Sequence, residues 1–145
     1  MKVAVVYFDS SALVKLVLDE TGSDLAAQLW NACDAALSSR LAYPEVCAAL
    51  VAAGRNHGLT ESEASSAADE WETFWASIRP VELSADVERL AGELSVLHRL
   101  RGADAVHLAS ALALRSADVT VAVWDRRLHG GVAAVGLAVA PATLD

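Results

Sequence analysis

The stretch that decides the fold is Val3-Ala4-Val5-Val6-Tyr7-Phe8-Asp9-Ser10-Ser11-Ala12-Leu13, close to the start of the chain. Its first six residues are apolar and favour strands, and Asp9 follows them directly. This pattern predicts a strand that is buried on both faces and carries the Asp9 carboxylate at its C-terminal end. In open parallel α/β sheets, ligands bind beyond the carboxyl ends of the strands. Asp9 is therefore the first candidate functional residue.

The rest of the chain alternates strand and helix patterns. Residues 119–124 repeat the opening design, because a buried strand again runs into an acid, Asp125. The predicted strands are 3–8, 35–38, 80–83, 119–124 and 137–139, the last at an edge. The predicted helices are 11–18, 21–32, 41–53, 60–77, one that begins after Ser84, 103–116 and 128–135. This alternation predicts an α/β fold in which helices cover both faces of a mainly parallel sheet of about five short strands.

Length and composition predict one domain, spanning residues 1–145. A chain of this size buries enough surface to need no disulfide or structural metal, and Cys33 and Cys47 form no CxxC or Cys/His cluster. We expect two reduced thiols. No apolar run approaches the roughly 18 to 20 residues that span a bilayer, and the apolar start is too short for a signal peptide. We therefore expect a cytoplasmic protein without a membrane segment.

The net charge of −8 argues against a broad basic surface that grips nucleic acid. It does not exclude an enzyme that acts on nucleic acid, because acids gathered around a divalent cation reverse the local sign of the field. The hydrophobic fraction of 54% is high, and it suggests that an apolar surface is covered by a second copy of the chain or by a docking partner.

Four acids are predicted to meet at one edge of the sheet. Asp9 and Asp125 follow strands, whereas Glu45 and Asp104 lie in the first turns of helices that start at the same edge. Carboxylates packed together repel one another, and an oxygen-binding cation such as Mg²⁺ or Mn²⁺ relieves that repulsion. Taken singly, each acid has an alternative role as a helix cap or as a charge that complements the helix dipole.

The surroundings of these acids carry a resemblance to a known family. Residues 7–16 read YFDSSALVKL, residues 41–45 read LAYPE, residues 101–111 read RGADAVHLASA and residues 124–128 read WDRRL. The four segments look like the four acidic motifs of the PIN-domain ribonucleases. Their length and spacing resemble the VapC-type toxins of VapBC toxin–antitoxin modules. The resemblance covers essentially the whole chain.

This resemblance implies a PIN-like three-layer α/β/α sandwich and a metal-dependent endoribonuclease that acts as a toxin and inhibits growth. It implies that Asp9, Glu45, Asp104 and Asp125 bind Mg²⁺ or Mn²⁺, and that the Ser11 hydroxyl braces them. The implied partners are an RNA substrate, a VapB-type antitoxin and a second copy in a homodimer. Contact with DNA is expected only through the antitoxin.

One departure from the family keeps a rival interpretation open. Val123 stands where the family usually has Ser or Thr, two residues before the last acid. The alternative is a PIN-like module that binds proteins and has weak or lost metal binding. The four histidines have no zinc-binding spacing, and we expect His107 to be a hydrogen-bonded core residue. Arg126 and Arg127 are either contacts for substrate phosphate or a surface pair. Which RNA is cut stays open.

Overall fold

Residues 4–114 and 118–144 are described by the computed structural model of the protein. In this part of the chain the strands are β1 (Val5–Phe8), β2 (Ala35–Ser39), β3 (Arg79–Val81), β4 (Val119–Ala122) and β5 (Ala138–Ala140). The helices are α1 (Ser10–Val17), α2 (Ser23–Ala32), α3 (Ala42–Asn56), α4 (Glu61–Ala76), α5 (Ala85–His98), α6 (Gly102–Ala113) and α7 (Arg126–Ala134).

The strands form one five-stranded sheet in the order β3-β2-β1-β4-β5, and every pairing is parallel. β1 is the central strand, with Val5 opposite Ala35 of β2 and Val119 of β4. A central parallel strand has no solvated face, which explains why its sequence is a continuous apolar run. The predicted α/β sandwich with five short strands is confirmed.

Separate hydrophobic cores cover the two faces of the sheet, because successive side chains of a strand point to opposite faces. Tyr7 packs on one face in a core that includes Leu108 of α6. Phe8 packs on the other face in a core that includes Leu13 of α1 and Trp71 of α4. All five side chains are at most 1% exposed. The two cores together hold the end of β1, and hence Asp9, in a fixed position.

Three helices begin earlier than the sequence predicts: α6 begins one residue earlier, at Gly102, and an acid caps each of the other two. Asp9 accepts the Ala12 N–H with its side chain, so α1 begins at Ser10. Asp125 accepts the Leu128 N–H in the same way, so α7 begins directly after it and not at Leu128. Capping acids of this kind satisfy N–H groups that the first turn of a helix leaves free.

Smaller differences concern helix and strand ends. Helix α3 continues through Gly54 to Asn56, β3 begins one residue before the predicted strand, and β5 is displaced by one residue. Helix α6 ends at Ala113, before the predicted end at residue 116, which itself lies outside the described residues, as does the predicted strand start at residue 3. Such shifts are ordinary where helices fray and short strands end.

The surface of the described chain carries a few large apolar side chains. Val96 and Leu97, neighbours near the end of α5, are 82% and 74% exposed. Cys33 and Cys47 are half-buried free thiols. Among the helices of residues 4–114 and 118–144, none is both long and apolar enough to cross a membrane.

Gly22 is predicted to tolerate no side chain. It precedes α2 with φ of +96°, and a Cβ placed on it would lie 2.7 Å from Nε1 of Trp124. We expect Gly22→Ala to lower the free energy of unfolding by about 1–3 kcal/mol, through backbone strain and overpacking. Urea denaturation measures this change.

The matched control is Gly54→Ala inside α3, where nothing lies within 4 Å of the added Cβ. We expect this substitution to raise the free energy of unfolding by about 0.5–1 kcal/mol, because alanine is the better helix former. Equal stability of the Gly22→Ala and Gly54→Ala proteins would contradict the packing of Trp124 against Gly22.

Candidate active site

Asp9 lies at the carboxyl end of the central strand and is 4% exposed. Its Oδ1 accepts the Ser11 hydroxyl at 2.6 Å and the Ala12 N–H at 3.0 Å. Burial raises the pKa of Asp9 above its ordinary value, although the electrostatic effect of His107 and the hydrogen bonds from Ser11 and Ala12 act in the opposite direction. A nearby cation would therefore be a strong stabilising partner for this carboxylate.

Ser11 connects Asp9 to the strand that leads to Asp125. Its hydroxyl donates to Asp9 and accepts the N–H of Trp124 at 2.9 Å. Because Trp124 is the residue before Asp125, a single hydroxyl ties together the ends of β1 and β4. The side chain of Val123 is fully buried in the core on the α6 face. The hydroxyl that the family usually has at that position is absent. The Asp9 N–H donates to the Ala122 carbonyl of β4, and the Ser11 hydroxyl connects the Asp9 carboxylate to the Trp124 N–H.

Asp104 and Asp125 meet across one guanidinium group. Asp104 is a buried residue in the first turn of α6, and Asp125 is the cap of α7. Arg101 donates from Nε to Oδ2 of Asp104 at 3.1 Å and from Nη2 to Oδ2 of Asp125 at 3.2 Å. The hydrogen bond to Asp104 and the charges of both acids raise the pKa of Arg101. These two carboxylates therefore share one cation.

Glu45 is held by a second set of hydrogen bonds. Its Oε1 accepts the Ser10 hydroxyl at 2.6 Å and lies 2.7 Å from Nε2 of His107. Burial alone would raise the pKa of Glu45, but the hydrogen bonds from His107 and Ser10 outweigh it, and the pKa lies below its ordinary value. Glu45 is thus kept ionised.

His107 links Glu45 to the core of the sheet. Its ring is 3% exposed, and its Nδ1 lies 2.7 Å from the hydroxyl of Tyr7, which is fully buried. An ionised Glu45 can only accept, so Nε2 of His107 carries a proton. In the neutral ring, Nδ1 then accepts the Tyr7 hydroxyl. The expectation that His107 is a hydrogen-bonded core residue is confirmed, and its bond to Glu45 adds it to the site.

The four predicted acids all lie at the carboxyl edge of the sheet, in two hydrogen-bonded groups. In one group, Ser11 links Asp9 to the segment after β4, and Arg101 links Asp125 in that segment to Asp104. The other group holds Glu45. In residues 4–114 and 118–144, no three His, Cys, Asp or Glu side chains are grouped in a way that could hold a metal ion. The acids are therefore neighbours in one region rather than a closed ligand shell.

The alternative structural roles are present for all four acids, since two are helix caps and Glu45 and Asp104 lie in the first turns of α3 and α6. Asp9 and Asp125 are both helix caps, and each uses Oδ1 for its cap hydrogen bond. A cap occupies only part of a carboxylate, since the two oxygens together offer about four acceptor positions. Capping fixes the orientation of these side chains and is compatible with a second role at the same edge.

Sequence reasoning missed four residues of the site: Tyr7, Ser10, Arg101 and His107. Helical spacing carries a signal for two of them, because Arg101 and His107 lie three residues before and after Asp104. Ser10 adjoins Asp9 in the chain. Nothing in the sequence indicates the bond between Tyr7 and His107, whose side chains are 100 residues apart.

The donor set suits a hard divalent cation. It consists of the carboxylate oxygens of Asp9, Glu45, Asp104 and Asp125, without a cysteine and with His107 already bonded on both ring nitrogens. Mg²⁺ and Mn²⁺ prefer oxygen ligands, whereas Zn²⁺ prefers nitrogen and sulfur. The types of ligand therefore fit Mg²⁺ or Mn²⁺ rather than Zn²⁺, and a bound ion would need water or substrate oxygens to complete its shell, because no three of these side chains are grouped around one point in the described residues.

Comparisons with known proteins agree along nearly the whole chain. A family model described as "PIN domain" matches residues 6–128. Two relatives from Mycobacterium tuberculosis, Ribonuclease VapC45 of strain CDC 1551 / Oshkosh and Ribonuclease VapC49 of strain ATCC 25618 / H37Rv, are each 67% identical over 140 residues. Each alignment covers 97% of this chain and 97% of the relative.

A solved structure shares the fold. The chain superimposes on a protein of a toxin–antitoxin complex from Klebsiella pneumoniae with a TM-score of 0.68 and 18% sequence identity. The superposition covers 97% of this chain and 99% of that one. At this identity the likeness concerns the arrangement of strands and helices.

Ser11 offers a test of the site's architecture. We expect Ser11→Ala to lower the free energy of unfolding by about 1–3 kcal/mol, because Asp9 loses a donor and the Trp124 N–H loses its acceptor in a partly buried place. Denaturant unfolding of the purified protein gives the value. Ser65→Ala, on the exposed side of α4, is the control and should change stability by less than about 0.5 kcal/mol. Equal effects of the two substitutions would refute the bridging role of Ser11.

Proposed function

The chain belongs to the PIN-domain family and is similar to VapC ribonucleases over nearly its whole length, and from that premise we propose that it is a VapC-type endoribonuclease. It hydrolyses phosphodiester bonds of RNA and acts as the toxin of a toxin–antitoxin pair, so that it inhibits translation and growth when it is free. The identity of 67% over 97% of the chain carries this conclusion.

The proposed catalytic residues are Asp9, Glu45, Asp104 and Asp125. Their support is the position of all four at the carboxyl edge of a parallel sheet, which is where α/β proteins bind their ligands. Further support comes from their preorganisation. Ser11 holds Asp9 and His107 holds Glu45 before any ligand arrives. Side chains that are already oriented lose little freedom when the substrate binds.

We propose that Asp9 and Asp104 are the main ligands of Mg²⁺ or Mn²⁺, that Asp125 is a further ligand, and that Glu45 is a ligand or orients the attacking water. The bound ion would lower the pKa of a water molecule, hold the scissile phosphate and offset charge on the leaving oxygen. Its positive charge would also reduce the repulsion between RNA and the acidic edge of a chain whose net charge is −8.

The reaction needs no nucleophile from the protein. The oxygen of water forms a bond to phosphorus, the bond from phosphorus to the 3′-oxygen breaks, the water loses a proton and the 3′-oxygen gains one. Glu45 is suited to accept a hydrogen bond from the water, because His107 and Ser10 hold it in its ionised form. On the other side of the site, the Asp9 carboxylate is fixed by Ser11 and by the first turn of α1.

The rival interpretation is a binding module without nuclease activity, suggested by Val123. Val123 is buried in the core, and the Ser11 hydroxyl donates to the Asp9 carboxylate, so the valine does not leave Asp9 without a side-chain donor. Titration of the purified protein with Mn²⁺ separates the two interpretations. Binding of Mn²⁺ by the wild type and its loss in Asp9→Asn favour the enzyme.

Asp9→Asn tests the central assignment. The substitution removes one negative charge with little change of shape, and the amide oxygen can still accept the hydrogen bonds that cap α1. We expect RNA cleavage to fall by at least about 100-fold and growth arrest to disappear, with the fold intact by circular dichroism. Asp24→Asn, in the exposed first turn of α2, is the matched control and should leave cleavage unchanged. Undiminished toxicity of a stably expressed Asp9→Asn protein would contradict the assignment.

The proposed partners are a VapB-type antitoxin and a second copy of the chain. The similarity to a protein of a toxin–antitoxin complex and the VapC relatives support the antitoxin. DNA would be contacted only through that antitoxin. A homodimer is supported by the apolar composition and by the exposed pair Val96 and Leu97.

Sedimentation velocity tests the homodimer. We expect the protein alone to sediment as a dimer at high micromolar concentration, because the exposed apolar side chains would be removed from water in the contact between copies. Dilution into the low micromolar range serves as the control, since a reversible dimer dissociates as the concentration falls. A clean monomer at high micromolar concentration would count against the dimer.

A further inference from the structure

Arg101 lies at the exposed side of the acidic site. It is the residue directly before α6, and its side chain makes no cap hydrogen bond to that helix. Its side chain is 63% exposed, whereas those of Asp104 and Asp125 are 12% and 31% exposed. The guanidinium group therefore lies on the solvent side of two carboxylates that face it from different helices.

The hydrogen bonds of Asp125 show why this position matters. Its Oδ1 accepts the Leu128 N–H as the cap of α7, and its Oδ2 accepts from Arg101. Both oxygens of Asp125 are thus engaged. Oδ2 of Asp104 is engaged by the same guanidinium. A cation that is to be bound by both carboxylates must compete with Arg101 for them.

We propose that Arg101 is the built-in counter-ion of the acidic site: it neutralises Asp104 and Asp125 when no divalent cation is bound, and it is displaced when one binds. This inference rests on the proposed metal-binding role of the two acids. It adds a residue of the chain itself that sets how tightly the site binds the ion.

The geometry makes this displacement easy. Arg101 gives one N–H to each carboxylate, Nε to Asp104 and Nη2 to Asp125, so neither pair has the two parallel hydrogen bonds of the strongest arginine–carboxylate contacts. The side chain is mostly exposed, and exposed ion pairs contribute little to stability because water and salt screen them. A divalent cation carries twice the charge and can approach the same oxygens more closely.

The removal of Arg101 has two opposing effects on the metal-free protein. Asp104 and Asp125 lose the cation that offsets their mutual repulsion, so the protein without metal becomes less stable. The same loss removes the competitor, so an added divalent cation relieves more repulsion and binds more tightly. A residue that only stabilised the fold would produce the first effect without the second.

The experiment is isothermal titration with Mn²⁺ on the purified full-length wild type, Arg101→Gln and Arg99→Gln. Arg99→Gln is the matched control, because it removes the same charge two residues earlier, from an exposed position at the end of α5. We expect Arg101→Gln to bind Mn²⁺ about 3- to 10-fold more tightly than the wild type, and Arg99→Gln to change affinity by less than about 2-fold. Arg101→Lys, which keeps the charge but not the forked donors, should fall between Arg101→Gln and the wild type.

Thermal unfolding gives a second measurement that does not depend on cleavage. We expect a lower Tm for Arg101→Gln without metal, and a larger rise of its Tm on addition of Mn²⁺ than for the wild type. Affinity of Arg101→Gln equal to or weaker than that of Arg99→Gln, with Mn²⁺ still bound by the wild type, would overturn the role of Arg101 alone. A folded wild type that binds no Mn²⁺ would overturn the proposed metal site together with this inference.

Discussion

The cost of keeping four carboxylates ionised at one edge of the sheet, two of them buried, is the constraint on which the rest of the site depends. Two parallel strands and the starts of helices bring Asp9, Glu45, Asp104 and Asp125 to that edge, and each must be held by donors or by a cation if it is to stay ionised. The surrounding polar groups supply these donors and one cation. Ser11 donates to Asp9, Ser10 and His107 to Glu45, and Arg101 to the remaining pair. The site is a set of acids whose compensating partners come from the same short segments.

The acids do not share one environment, and the structure separates their properties. Asp9 lies deep at the end of the central strand, where burial raises its pKa. Glu45 lies nearer to solvent, and its hydrogen bonds lower its pKa. The hydrogen-bonded pair Tyr7 and His107 restrains Glu45, because Tyr7 is fixed within the sheet and His107 within α6. Oriented carboxylates of different proton affinity are what a site needs in order to hold a cation and position a water molecule.

The overall charge and the local charge have different consequences for function. A net charge of −8 argues against a broad basic surface for nucleic acid, but it does not exclude a site at which Arg101 and, as proposed, a divalent ion would supply local positive charge. If Arg101 leaves the acids when the ion binds, its guanidinium remains tethered at the entrance, where an RNA phosphate would arrive. The acidic composition and a role in RNA hydrolysis are therefore compatible on electrostatic grounds.

The sequence by itself determined the fold class and the edge at which the site lies, because both depend on local patterns. Apolar runs that end in an acid indicate the buried strands near Asp9 and Asp125, although β4 ends at Ala122, two residues before the predicted strand end, and helix-start signals place Glu45 and Asp104. Only the tertiary structure decided the strand order β3-β2-β1-β4-β5 and the partners of each acid. His107 bonds to Glu45, which is 62 residues away in the chain, and Arg101 donates to Asp125, which caps a different helix. Such pairings depend on how side chains of separate elements point toward one another once the sheet is assembled, and no local periodicity encodes that direction.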